Sequence, residues 1–303
     1  MRSVRMEQRA VFEPPRDGDV LVSADVGPHG ELVTLWAAEA DREALHGRTV
    51  APSGVSHAHT RTERPVTVRV CVHYDDTVHQ VEIDKFRLAH PSVQPLPDGR
   101  LLAVGARCRS DNGGPERNAV VYDERGRKIT AASVGDGVNH VRTTPSGAIW
   151  VGYFDEGITG IGAPGIVRFD QDLQVAWRFP VNVLDDGILD CYALNSDGEN
   201  IWACTYPEFP VIRIDGERVT SWRNRLRGVD ALITDGRRCA LVGGYGSDRD
   251  RLMIGQLDGG GYNPRDRRRL VTPPGDRIAI TGRCSTLHVV AGHTWWTLDL
   301  ADL

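Results

Sequence analysis

The amino-acid sequence predicts an all-β protein, a six-bladed β-propeller made of four-stranded antiparallel blades, and three observations carry that expectation. An aspartate closes a short apolar run six times, at Asp75, Asp123, Asp170, Asp215, Asp258 and Asp299, in steps of 48, 47, 45, 43 and 41 residues. A period in the forties with four strands per period is the signature of propeller blades. The stretch Val138 to Phe179 shows one unit in full, as four short runs joined by a Pro-Ser-Gly turn, a Gly-rich loop and a turn after Asp170; this is the pattern of an antiparallel meander. The ends complement each other. Only Leu300 to Leu303 follow Asp299, so the last blade lacks a fourth strand, and Val4 to Glu13 is the candidate to supply it beside Trp295 to Leu298. That closure leaves no long exposed sheet edge. An irregular β-sandwich also has short alternating strands, but it does not reproduce the aspartate step.

Taken in order, the first blade opens with Val20 to Gly27, turns at Pro28-His29-Gly30 and resumes through Glu31-Leu-Val-Thr-Leu-Trp-Ala-Ala38, with its third strand starting at Val66. Glu39 to Pro65 is too long for a blade loop and forms an insertion with a helix-capable piece, Glu39 to Leu45; a long structured insertion suits a lid or a partner contact. His57 and His59 within it are a candidate metal pair, although histidines in a Ser/Thr-rich loop are more often simply exposed. Blade two runs from Phe86 to about Val134 and carries a polar loop, Arg107 to Asn118, as a pocket rim. Blade three is the Val138 unit. Blade four, Gly187 to Arg223, has the tightest connection, Tyr206 to Pro210; blade five spans Val229 to Leu270 with a polar loop Gly246 to Asp250, and blade six Arg277 to Leu300. The second strand recurs from Leu101, Ala148, Ile201, Ala240 and Leu287, and Trp177 and Trp222 each follow a repeat aspartate by seven residues.

Length and composition fit one propeller domain, residues 1–303, with the insertion at about 39–65. Hydrophobic residues make up 40% of the chain, enough for a core between blades. A net charge of −5 argues against nucleic acid as the main partner, and the short Arg267-Arg268-Arg269 cluster reads as a solvated loop. Lysine occurs only at Lys85 and Lys128, a bias of genome composition. No apolar stretch approaches the roughly 20 residues that span a bilayer, and the N-terminal residues lack the apolar core of a secretory signal. Six cysteines are scattered without a C-x-x-C pair, and Cys71, Cys204 and Cys239 fall in or beside strands as small buried hydrophobes. The expected setting is a reducing cytoplasm, with no membrane partner.

Familiar catalytic motifs are missing. Gly160 to Gly165 matches G-x-G-x-x-G, but a strand follows where a phosphate site needs a helix N-terminus, and Pro164 removes one donor; no nucleotide cofactor is expected. Neither a G-x-S-x-G elbow, a Walker loop nor H-E-x-x-H is present. The informative positions are the starts of the first strands, which line the channel of a propeller. Register counts put Pro91, Asn139, Asp190 and Asp230 there in blades two to five. His140 adjoins Asn139, and Cys191 and Tyr192 follow Asp190. Loops between second and third strands open at the same end, bringing Asp155, Glu156 and Glu208 near that mouth. Clustered carboxylates raise one another's pKa or recruit a hard cation with oxygen ligands, and a histidine beside them supplies an acid or base near neutral pH. Each Asp or Asn has an alternative use, accepting backbone N–H bonds in a tight turn.

Blade four, GILDCYALNSDGENIWACTYPEFPVIRID, resembles the G-x-x-D-G-x-x-x-D-x-x-G-x-x-W-V-A blade of the SMP-30/gluconolactonase-like propellers, and blade three, VNHVRTTPSGAIWVGY, is similar to their N-D-G-x-x-D-P-x-G-x-x-W-x-G blade. The resemblance covers two blades closely and the others in outline. It implies a divalent cation, Ca2+ or similar, at the channel mouth for opening lactones or hydrolysing esters, with Asp190 and Asp230 as metal ligands and Asn139 as a substrate contact. His140 and Cys191 stand where the family has glycine, and Val22-Ser23 where it has a glutamate ligand. NHL and virginiamycin-B-lyase-like propellers share the same blade pattern.

The expected function is small-molecule processing, by hydrolysis or by lyase or isomerase chemistry, in a polar pocket at the mouth. Asp190 and Asp230 act there as cation ligands or an acid/base pair, His140 with Glu156 transfers protons, and Asn139, Tyr192, Glu208 and Arg107 contact the substrate. The alternative is a non-enzymatic binding module that presents its loops, insertion included, to a protein or a ligand.

Overall fold

Runs rich in β-branched and aromatic residues, such as Ile149 to Tyr153 and Asn200 to Tyr206, form strands because their side chains pack well on a pleated surface. The computed structural model describes every residue except Met1, Asp75, Asp76, Asn112 and Gly113, and the side chain of Asp111. Asp75 and the tip of the Arg107–Asn118 loop therefore lie outside the described residues. The chain divides into two compact units, Glu13–Arg178 and Met1–Phe12 with Phe179–Leu303.

The 13–178 unit holds three four-stranded antiparallel sheets. The first sheet comprises Asp19–Val26, Leu32–Ala38, Arg61–His73 and Val78–Leu88. The second comprises Pro91–Pro95, Leu101–Gly105, Ala119–Tyr122 and Lys128–Ala132. The third comprises Val138–Thr143, Ile149–Tyr153, Ile166–Phe169 and Val175–Arg178. The insertion contains the expected helix, Glu39–Leu45, and a small hairpin, Arg48–Val50 with Ser56–Ala58. The strand after it begins at Arg61, five residues before the expected Val66. Bulges on either side of Val66 let the chain pass Pro65 without ending the strand.

In the other unit, the fourth sheet comprises Asp190–Asp197, Asn200–Tyr206, Val211–Asp215 and Arg218–Trp222. The fifth has Ala231–Thr234, Arg238–Val242, Arg251–Asp258 and Gly261–Val271; the sixth, Arg277–Arg283, Thr286–Ala291 and Thr294–Asp299, is joined to the fourth by a parallel bridge between Ser196 and Arg283, so that the two form one continuous sheet. Glu7–Val11 pairs antiparallel with Thr294–Thr297, in the place foreseen for the N-terminal segment. Arg2–Arg5 does something else. It adds in parallel to the outer strand of the fifth sheet, Arg2 opposite Arg268 and Arg5 opposite Val271, so the N-terminal residues strap the fifth and sixth sheets together.

Apolar cores lie between neighbouring sheets. Val22, Leu35, Val70 and Phe86 meet Val93, Leu101 and Tyr122; Leu102, Val104 and Val121 meet Val141, Val151 and Phe169. In the other unit Trp202, Cys204 and Phe209 meet Leu241 and Tyr262, and Leu252 and Ile254 meet Leu287 and Val289. Each such aliphatic side chain contributes roughly 1.5–3 kcal/mol by leaving water. Within each unit the innermost strands touch one another. Arg142 reaches Asp25 at 2.7 Å and Thr143 donates to Gln94 at 3.1 Å, so the third sheet's inner strand touches those of both the first and the second. In the second unit Asn195 Nδ2 donates to Leu232 O at 3.0 Å and to Cys284 O at 2.9 Å. A Cβ on Gly282 would stand 2.0 Å from Leu232 O. Only glycine allows that approach.

Three of the five repeat aspartates that the structure describes organise turns. Asp123 Oδ1 accepts the N–H groups of Arg125 and Arg127, Asp170 Oδ1 those of Asp172 and Gln174, and Asp299 Oδ1 that of Ala301. Those bonds hold the Asp123 carboxyl below the usual range. Trp177 packs edge-on against Trp150, and Trp222 stacks on Trp202, at 5.4 and 5.7 Å between ring centroids. Arg168 and Arg213 lie over Trp150 and Trp202. The conspicuous part of the repeat is a structural device. Among the described residues, no helix is long and apolar enough to cross a membrane.

Candidate functional site

The starts of the inner strands are where the counts placed them: Pro91 and Asp190 each open a strand, Asn139 is second in its strand, and Asp230 directly precedes Ala231. Around Asp190 the 179–303 unit builds an aromatic cluster. Asp190 lies opposite Tyr206 across the two strands of the hairpin, which puts the two side chains on one face. The register then shifts between Cys191 and Ala193, so Tyr192 is the extra residue of a bulge, and bulges re-aim a side chain. Tyr192 is aimed at its neighbours' rings: its centroid is 4.8 Å from Phe209, 6.4 Å from Tyr206 and 6.3 Å from Tyr245. Phe209 is fully buried as the floor, whereas Tyr206 and Tyr245 remain 41% and 55% exposed.

Tyr245 comes from the fifth sheet, in the connection before Gly246–Asp248, and its hydroxyl oxygen lies 2.9 Å from that of Tyr192. Gly228 makes room for it. A Cβ there would sit 3.0 Å from both the backbone nitrogen and Cδ1 of Tyr245, and Gly228 has a φ of +70° that other residues rarely adopt. Burial, the hydroxyl pair and the nearby Asp190 charge all raise the Tyr192 phenol well above its ordinary value. Burial likewise pushes the Asp230 carboxyl up, while Arg277 and Arg249 pull it back. Glu208 sits on the connection after Tyr206, with Arg227 at 3.6 Å, and Arg227 also donates to Pro207 O at 2.8 Å.

The remaining sequence-predicted residues belong to the 13–178 unit. Arg107 is clamped on Asp136, Nε and Nη2 each donating at 2.9 Å, and its Nη1 bonds Glu156. Its guanidinium lies 5.4 Å from the centroid of Phe154. Burial works against the charge here, but the carboxylates more than offset it and hold the Arg107 pKa above its ordinary value. Asn139 and His140 neighbour each other at 3.4 Å. Sequence reasoning thus named Arg107 and Glu156 separately where the fold pairs them, and it missed Asp136, Tyr206, Phe209 and Tyr245. The signal was available for the aromatic residues: Tyr206 and Tyr245 both end or follow second strands, one sheet apart.

In the insertion His59 Nε2 lies 2.7 Å from Thr49 Oγ1, and His57 is an exposed residue of the hairpin. Among the described residues, no group of three or more His, Cys, Asp or Glu side chains is arranged to hold a metal ion. The Gly160–Gly165 match is a packing feature. A Cβ on Gly162 would fall 2.2 Å from Gly157 O and 2.9 Å from the Tyr153 ring, and the strand Ile166–Phe169 follows.

No family model matches this sequence, and no curated protein matches it. Solved structures do. The chain is similar to the β-propeller domain of Cps50 (Swd1) from Myceliophteria thermophila, at 10% identity and a TM-score of 0.50, covering 97% of this chain and 99% of that one. A chain of a mitotic checkpoint complex is 11% identical with a TM-score of 0.50, over 97% of this chain and 94% of that one. The extracellular domain of the one-component system BT4673 from B. thetaiotaomicron is 12% identical with a TM-score of 0.48; the match covers 99% of this chain and 42% of that one. At such identities the likeness shows fold alone. The chain has an all-β fold of the propeller type.

Proposed function

We propose that this chain is a binding module, and that its site is the tyrosine cluster at the strand-start end of the 179–303 unit, where Tyr192, Tyr206 and Tyr245 gather over Phe209 beside Asp190. The observation that carries this is the exposure of two large aromatic rings held in place from two different sheets. Rigid aromatic surface with a polar edge is the usual material of small-molecule and interface anchors. Six sheets read as six blades, with Glu7–Val11 completing the last, and a cytoplasmic setting belong to the same reading.

The hydrolase or lyase reading has weaker support. Its proton-transfer residue Glu156 is engaged by Arg107, which is itself held on Asp136. Its two proposed cation ligands, Asp190 and Asp230, supply fewer oxygens than the six to eight a calcium ion takes, and the positive charges of Arg277 and Arg249 already act on Asp230. One observation favours it: a carboxyl raised by burial, as at Asp230, suits a general acid. Asp190→Asn and Asp230→Asn abolish turnover of a lactone or ester panel on that reading and leave melting nearly unchanged.

The binding reading is tested by ligand-observed NMR of the whole chain against a panel of small fragments. Hits are expected to lose binding on Tyr245→Ala and Tyr206→Ala, both substitutions of exposed rings, and to keep it on Asn139→Ala. Hits insensitive to both tyrosine changes overturn the assignment.

A further inference from the structure

Resting on that site assignment, we infer that the ligand of the tyrosine cluster is a small molecule bearing a substituted ammonium group. Two independent features point to positive charge. The first is the rings. A tyrosine face carries negative potential, and several faces around one point attract an alkylated ammonium, whose charge is spread over methyl groups and weakly hydrated. Tyr192 meets Tyr245 at 85° and Phe209 meets Tyr245 at 83°, edge to face, while Tyr206 and Tyr245 stay 41% and 55% exposed and keep ring surface open to a ligand. The hydroxyls of Tyr192 and Tyr245 are bonded to each other, which fixes the two rings.

The second feature is the rim. Asp190 shares a face with Tyr206, and its charge is felt by the Tyr192 phenol. Asp185 and Asp186 are exposed on the segment leading into the strand, and the backbone N–H of Leu189 donates to Tyr206 O, tying that segment to the cluster. Of the arginines nearby, Arg227 is held by Glu208 and Pro207 O, and Arg251 by Asp248, Gly243 O and Arg227 O, while the charges of Arg249 and Arg277 act on Asp230. An anionic ligand would meet aromatic faces and a carboxylate, and desolvating its charge there costs more than it gains. A neutral ligand could offer Asp190 a hydrogen bond but no charge to pair with it.

The test uses the whole chain with two probes of the same shape, choline and its uncharged isostere 3,3-dimethylbutan-1-ol, titrated by calorimetry or ligand-observed NMR. Choline is expected to bind at least about tenfold more tightly than the isostere. Tyr245→Ala and Tyr206→Ala each weaken choline about tenfold or more, Tyr245→Phe retains binding because the ring face is kept, and Asp190→Asn narrows the gap between the two probes. Equal affinity for both probes overturns the inference and leaves the site assignment standing. Fragment hits at the cluster with no choline binding do the same. If neither probe nor any fragment binds there, inference and site assignment fall together.

Discussion

The hydroxyl of Tyr192 meets that of Tyr245 at 2.9 Å, joining the bulged inner strand of the fourth sheet to a connection of the fifth. The two residues are 53 apart in sequence, so the contact exists only because neighbouring sheets present the same ends to one side. A single hydroxyl therefore holds the exposed ring of Tyr245 in register with the cluster. Tyr192→Phe is expected to cost about 1 kcal/mol in denaturant unfolding and to broaden the Tyr245 ring resonances. An unchanged Tyr245 spectrum would show that the pair does not fix the ring.

Arg107 is a positioning residue in the 13–178 unit. Asp136 accepts two bonds from it and a third, at 2.7 Å, from the Cys108 N–H. Arg107→Met leaves the half-buried Asp136 carboxylate without its cation and is expected to destabilise by about 1–3 kcal/mol. Glu156 is exposed, so Glu156→Gln stays within about 0.5 kcal/mol. Equal costs for both would mean the three charges act as one network, to be settled by the double mutant.

Asp25 and Arg142 form an ion pair whose side chains are 15% and 5% exposed. Removing one partner strands a buried charge, so Asp25→Ala or Arg142→Ala alone should cost about 3–5 kcal/mol, whereas Asp25→Leu with Arg142→Met costs much less than the sum. Additive losses in equilibrium unfolding would contradict this.

The N-terminal strap is open to a direct check. Met6 and Phe12 are buried, and the residues between them cover the outer edge of the sixth sheet. Deleting residues 1–12 should speed amide exchange in Thr294–Asp299 and Gly261–Val271 while leaving Asp19–Val26 unchanged. Unaltered protection of the sixth sheet would mean that the strap adds nothing.

Acid should loosen the insertion. His46 and His90 stand 5.7 Å apart, ring to ring, and His90 N donates to Leu45 O at 2.7 Å, docking the helix end. Burial lowers both imidazole pKa values; the charges of His90, Arg42 and Arg48 also lower that of His46, and those of Arg48, His59 and Arg107 that of His90. A depressed histidine pKa means the docked form resists protonation. Docking is thus at full strength above the model-peptide value near 6.5 and weakens as pH falls below it. Protection factors across residues 39–50, corrected for the slower intrinsic exchange in acid, should fall between about pH 7 and 5, and His90→Gln should flatten that fall.

Much of the fold was legible because it is written in local chemistry. Asp123, Asp170 and Asp299 mark turns since a short carboxylate reaches the N–H groups two to four residues on, and that needs no distant partner. The helix Glu39–Leu45 and the strands around Trp150 and Trp202 follow from composition over a few residues. The candidate site was legible only as a set of positions. Asp190 opens a strand, Asn139 is second in one and Asp230 directly precedes one, but position does not say what a side chain touches.

What the sequence alone determined is the repeated unit: the alternation of strands, the turn aspartates, and the pairing of an N-terminal segment with the sixth sheet. Tertiary structure decided that Arg2–Arg5 crosses to the fifth sheet, that Arg107 neutralises Glu156 on Asp136, and that Tyr192, Tyr206 and Tyr245 share one floor at Phe209. The reason is the range of the forces. Turn and strand preferences act over a few bonds, whereas ring packing and ion pairing act through space, between residues whose separation along the chain carries no record of their meeting.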